Sequence, residues 1–152
     1  MASFRAALTQ LAALSVSGVR NNYDLDELPH SLHSAQMPCL LVMPIELKAE
    51  RLFRERKDSL QTVAFSGGAK SIYYTVTHLL LAAPAESGLG IRSHLPGLVD
   101  LMDSYTAALA ADITMGDQLL APARVSVEPG IFPYGEREFY GCAFRHTWLL
   151  EI

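Results

Sequence analysis

The residues with the chemistry to act at a site are few and scattered. There are five histidines and two cysteines among 152 residues. His30 and His33 form an H-x-x-H pair, the spacing of two metal ligands, but no third ligand stands near them in sequence. Cys39 and Cys142 belong to no CxxC or other metal spacing. Each lies in an apolar run, which suits a buried free thiol of a reducing compartment. Cys142 and His146 have the residue types of a nucleophile and its base. On one strand, residues four apart are about 13 Å from each other, beyond the hydrogen-bond reach that such a pair needs. His78 sits in a β-prone run and reads as a satisfied or interface histidine. Asp100, Asp103 and Asp112 could offer an acid/base pair of carboxylates; a solvated helix face explains them more simply. The string GGAKS at 67–71 approaches the phosphate-binding loop, but Ala69 separates Gly68 from Lys70, and the stretch reads as part of a hairpin. Gly88-Leu89-Gly90 opens a G-x-G without the third glycine of a dinucleotide fingerprint. No catalytic constellation, cofactor motif or metal set emerges.

The elements that would position these residues are clearer. In the final run, Tyr140, Cys142, Phe144, His146, Trp148, Leu150 and Ile152 fall on one side of a strand. Gly141, Ala143, Arg145, Thr147 and Glu151 fall on the other. With Val125 onward and a turn near Tyr134-Gly135, this makes a long hairpin. Its apolar face, which carries the single Trp, demands a cover. Ser3 to about Leu14 reads as an amphipathic helix with Ser3 as its cap and Phe4, Leu8, Leu11 and Leu14 as its stripe. It is a better helix than signal peptide, since Thr9 and Gln10 interrupt the apolar stretch. Asn21 to His33 is polar and acidic and reads as an irregular connection. Met37 to Pro44 is an apolar run bounded by prolines, a strand buried on both faces. Residues 60–65 and 69–83 read as a hairpin around Ser66-Gly67-Gly68. His94 to about Ala111 reads as a second helix, with Pro96 in its first turn and Leu98, Leu101, Met102, Tyr105 and Leu109 buried.

Length and composition suit one domain spanning 1–152, of α+β class: a mixed or antiparallel sheet with long hairpins packed against two main helices. Half the residues are hydrophobic and mean hydropathy is +0.19, which leans toward surface covered by other subunits. A net charge of −4 makes no electrostatic case for nucleic-acid or membrane-surface binding. No run reaches the length of a membrane span. The block 46–58 is dense in charge of both signs. Arg51, Arg54, Arg56 and Lys57 there, with Asp24, Asp26 and Glu27 of the acidic loop, are candidate subunit or partner contacts.

Four strings carry a resemblance: SLHSAQMPCLLVMP at 31–44, YYTVTHLLLAAP at 73–84, LPGLVDLMDSYTAALAAD at 95–112 and GIFPYGEREFYGCAFRHTWLLEI at 130–152. With the order of elements and the pattern Tyr134-Gly135, Tyr140-Gly141, Phe144, they resemble small neck and tail proteins of long-tailed phages, above all the tail terminator (tail completion) family. The resemblance implies a structural virion protein without enzymatic activity or cofactor. It would be assembled in the host cytoplasm as a ring, typically a hexamer, at the head-proximal end of the tail. Its partners would be its own copies, the tail-tube protein and the head-completion or connector proteins, with DNA only passing through the lumen and no membrane involved. Two alternatives stay open: another neck or minor tail subunit, such as a head-completion or tail-tube protein, and a small α+β enzyme or ligand-binding protein.

Overall fold

The computed structural model describes residues 3–44, 60–62, 71–85 and 90–151. The elements run α1 (Phe4–Ala12), β1 (Asn21–Tyr23), β2 (Cys39–Met43), β3 (Leu60–Thr62), β4 (Ser71–Pro84), α2 (Gly90–Ala110), β5 (Arg124–Tyr134) and β6 (Arg137–Glu151). The strands form one mixed sheet in the order β1-β2-β4-β6-β5, with β3 also paired to β4. Among the described residues only the β1–β2 pairing is parallel; the others are antiparallel. This is an α+β fold, as the sequence implies.

Strand β6 lies between β4 and β5 along most of its length. Its period-two pattern is why. Cys142, Phe144, His146, Trp148 and Leu150 are all buried on one face, which Leu40 and Val42 of β2 and Tyr74, Val76 and Leu80 of β4 extend and which α1 and α2 cover. Each large apolar side chain so buried contributes roughly 1.5–3 kcal/mol. The opposite face is covered over only part of its area. There Cys39, Leu41, Met43, Leu79, Leu81, Phe139 and Ala143 pack beneath Leu32 and Met37 of the β1–β2 connection. All five residues of β2 are buried, so the proline-bounded run is a two-faced strand.

Ser3 caps α1, its hydroxyl accepting from the Ala6 N–H at 3.1 Å. The β5–β6 turn is a two-residue connection with Gly135 at φ +61°, the conformation that tight hairpins ask of glycine. Gly141 has a different reason. A Cβ there would lie 2.0 Å from the Leu80 carbonyl oxygen, beside the register shift between Leu81 and Ala83. Only glycine lets β4 and β6 close at that point.

Three expectations need correction. The stretch 21–33 is not wholly irregular. Asn21–Tyr23 pairs in parallel with Cys39–Leu41, and Leu25–Glu27 forms a short 3-10 turn capped by Asp24. Helix α2 starts at Gly90, so Pro96 lies inside it rather than in its first turn. Its missing N–H removes one helical bond, and the helix continues because Leu98 and Tyr105 anchor the following turns in the core. Asp112 lies past the helix end, and its carboxylate accepts from the Gly116 N–H at 2.7 Å, shaping the turn. The β3–β4 pairing matches the hairpin reading, but its turn at 66–68 lies outside the described residues.

Candidate functional site

Strand alternation places His78 of β4 and His146 of β6 on the helix-covered face, where both are fully buried. Helix α2 sets Tyr105 above them, its ring stacked on Phe144 at 3.6 Å between centroids. The Tyr105 hydroxyl lies 2.6 Å from His146 Nε2 and 2.9 Å from His78 Nδ1. His78 Nε2 lies 2.8 Å from Asn22 Oδ1, and the Trp148 indole N–H donates to His146 Nδ1 at 3.2 Å. The Asn22 amide in turn donates to the Leu11 and Leu14 carbonyls, each at 3.1 Å.

The two ends of this chain dictate every proton in it. An indole N–H can only donate, so His146 Nδ1 accepts and its proton sits on Nε2. That N–H donates to the Tyr105 oxygen, whose own proton goes to His78 Nδ1. The His78 proton is then on Nε2 and donates to the Asn22 oxygen. Both rings are neutral Nε2–H tautomers, and among the described residues every buried side-chain polar atom has a partner. Burial holds both histidines neutral. It lowers His146 to about 3 and takes His78 well below the ordinary 6.5, with His146 adding repulsion. Burial raises the Tyr105 hydroxyl well above its usual range.

This arrangement is a poor catalyst. One end of the chain, Trp148, is fully buried and the other, Asn22, is partly exposed, and its histidines take up a proton only in acid. Burial pushes the Cys39 and Cys142 thiols up to about 12 and about 11, so neither supplies a thiolate near neutral pH. Both are free and buried. They lie on opposite faces of the sheet, packed in different parts of the core.

His30 and His33 are exposed, and among the described residues no three His, Cys, Asp or Glu side chains are grouped to hold a metal ion. Asp24 is engaged within the subunit: it accepts from the Leu25 N–H at 2.7 Å and from the Thr9 hydroxyl at 3.2 Å. Asp26 pairs with Arg5 on α1 but stays exposed, and Glu27 is exposed. Arg51, Arg54, Arg56 and Lys57 lie outside the described residues. Asp100 and Asp103 are exposed on α2.

Two surface features flank α2. On one side a cleft of about 490 Å³ is lined by Ser17, Gly18, Pro38, His94, Gly97 and Leu101, among others. The opposite flank carries Leu95 and Val99, one helical turn apart, 41% and 50% exposed. On the same face of the sheet, β5 presents Val127 and Ile131, 43% and 51% exposed. Their cross-strand partners are Phe144 and Tyr140, whose rings meet Tyr105 and His94 of α2.

Sequence reasoning placed His78 and His146 but missed what joins them. Tyr105 reads as one more apolar stripe position, Asn22 as loop, and Trp148 as plain core. The available signal was two histidines on apolar strand faces, each of which must find a polar partner once buried. No protein-family model matches the sequence, and no curated protein matches it. No helix among the described residues is long and apolar enough to cross a membrane.

Proposed function

We propose that this chain is a structural subunit of a phage virion, a ring-forming tail terminator that ends tail-tube polymerisation at the head-proximal end and joins tail to head. The observation that carries the reading is the exposure of four apolar side chains on the helix-covered side of the sheet, Leu95 and Val99 of α2 and Val127 and Ile131 of β5. Apolar side chains gathered beside an edge strand are a contact surface for another protein. A closed ring needs heterologous contacts, a different patch on each side of the subunit. The apolar flank and the cleft lie on opposite sides of α2 and are suited to those two roles.

The edge of the sheet supports the same reading. Among the described strands β5 is the outer one, and Pro129 and Pro133 sit within it. The ladder to β6 continues through both, so the missing N–H groups belong to the outward edge. An edge so interrupted resists open-ended strand addition. Contact through side chains remains, which favours a subunit that closes a ring. The resemblance of the four sequence strings points the same way. The absence of a reactive nucleophile among the described cysteines removes one route to an enzymatic reading.

The test is the mass of the purified protein by light scattering over a range of concentrations, with imaging of the same sample. The expected result is a closed ring near six times 16.6 kDa, or a monomer that forms such a ring on tail-tube ends. A folded Val127→Asp/Ile131→Asp protein should remain monomeric. Open-ended tubes would make the chain a tail-tube subunit. A strict monomer that ignores tube ends would overturn the reading.

A further inference from the structure

We propose that the Trp148–His146–Tyr105–His78–Asn22 chain is an acid-operated latch: it clips helix α2 to the sheet at neutral pH and releases it when a proton enters. The inference does not depend on the assembly reading.

The hydrogen bonds of the chain all run in one direction, from Trp148 to Asn22. Every N–H and O–H in the chain already has its acceptor, and each ring nitrogen without a proton already receives a donor. A proton added to His146 must go to Nδ1, which faces the indole N–H of Trp148, itself a pure donor. A proton added to His78 must go to Nδ1, which faces Tyr105. The tyrosine oxygen would then receive two N–H donors, and its own proton would lose its acceptor. Either addition leaves buried donors facing each other.

Among the described residues no countercharge is at hand. β1 faces the chain with Asn22 and α1 with the Leu11 and Leu14 carbonyls. β2 contributes Leu40 and Val42. β4 contributes Tyr74 on the same face, and β6 contributes Cys142. None of these is a carboxylate. The charged residues of α2 and β6 nearest in sequence, Asp100, Asp103 and Arg145, are exposed or turned to the other face. The two histidine rings are 6.4 Å apart, so a charge on one opposes a charge on the other.

The element that yields is α2. Tyr105 is its only member of the chain, whereas β4 and β6 are joined by a ladder from Ser71–Glu151 to Pro84–Phe139. Removing Tyr105 from between the rings gives both histidines access to water and lets both take up a proton. The sign follows. The folded-state values lie below 6.5, so the opened state binds more protons. The latch is fully closed above about pH 6.5 and weakens as pH falls toward about 3, where His146 titrates in the closed state.

The test is amide hydrogen exchange of the intact protein between pH 7 and pH 3.5, corrected for intrinsic rates, with imidazole ¹⁵N spectra. At pH 7 both rings should show Nε2–H tautomers. As pH falls, α2 amides should lose at least tenfold protection before β4 and β6 do, in step with histidine protonation. In His146→Gln, which takes up no proton at that position, the α2 transition should move to lower pH. If that variant does not fold, the wild-type measurements decide alone. Three results would each overturn the proposal: His78 or His146 titrating near 6.5 with α2 in place, α2 protection unchanged down to pH 4, or simultaneous loss of helix and sheet protection.

Discussion

The two faces of the sheet are built from the same strands yet held by different forces. On the helix side, apolar packing surrounds a continuous polar chain from Trp148 to Asn22. On the loop side, Leu32 and Met37 cover Cys39, Leu41, Leu79, Leu81 and Phe139 mainly by apolar contact, with a weak Cys39 thiol to Met37 sulfur hydrogen bond at 4.0 Å among them. The polar ties on that side lie at its margin: the Tyr134 hydroxyl donates to the Pro29 carbonyl at 2.5 Å, and Arg137 donates to the Leu32 carbonyl at 3.2 Å. The difference teaches how cover is attached. A loop can drape over an apolar face and be pinned at its edge. A helix laid across strands is fixed in position by a specific bond in the middle of the contact, and that bond brings a dependence on acid, whereas burial on the loop side raises the Tyr134 hydroxyl and the Cys39 thiol and so acts only toward alkaline pH.

The largest expected effect strikes both faces at once. Gly141→Ala would drive a methyl into the Leu80 carbonyl, and should cost more than about 4 kcal/mol or abolish folding. A normally stable variant would mean that β4 and β6 do not close as described. Next come two truncations of similar size. Trp148→Ala and Phe139→Ala should each cost about 3–5 kcal/mol in denaturant unfolding. The comparison lies in their pH profiles. Loss of Trp148 removes the donor to His146 Nδ1, so that histidine should titrate at higher pH. Loss of Phe139 should leave the histidines unchanged. Identical profiles would erase the distinction between the faces.

A smaller contrast separates two tyrosines. Tyr105→Phe leaves His146 without an acceptor and His78 without a donor inside the core, and should cost about 1–3 kcal/mol. Tyr134→Phe loses one bond at the margin and should cost nearer 1 kcal/mol. Equal costs would deny the central bond its special place. Smallest for folding, near zero, should be charge reversal at Arg51, Arg54 and Arg56. Those changes should instead weaken ring formation in light scattering. Loss of folding there would remove the charged block from the candidate contacts.

The pattern of what could be read in advance follows from the same physics. β2, β4 and β6 were legible because burial imposes alternation or a continuous apolar run on their own residues. α1 was legible because Ser3 and its stripe are local signals. β1 was not, since Asn21, Asn22 and Tyr23 are a strand only because Cys39–Leu41 offers them a parallel edge. The start of α2 was misplaced because Pro96 is a strong local cue, overridden here by packing further along. The polar chain was half legible. Each histidine could be placed on its strand, but only the docking of α2 across β4 and β6 brings Tyr105 between them.

The place of β6 in the sheet has a consequence for how the protein is made. The strand lies in the sheet's interior, between β4 and β5, yet it follows both of them among the described strands. During synthesis, β4 emerges with its long apolar edge bare and waits for its main partner while α2 and β5 are still being added. At ordinary elongation speeds that wait lasts seconds. For that interval Leu79, Leu80 and Leu81 lack their final strand partners on a chain that cannot yet close, and crowded copies on one messenger would be exposed to one another there. The newborn protein is therefore open to mispairing along β4 until β6 arrives.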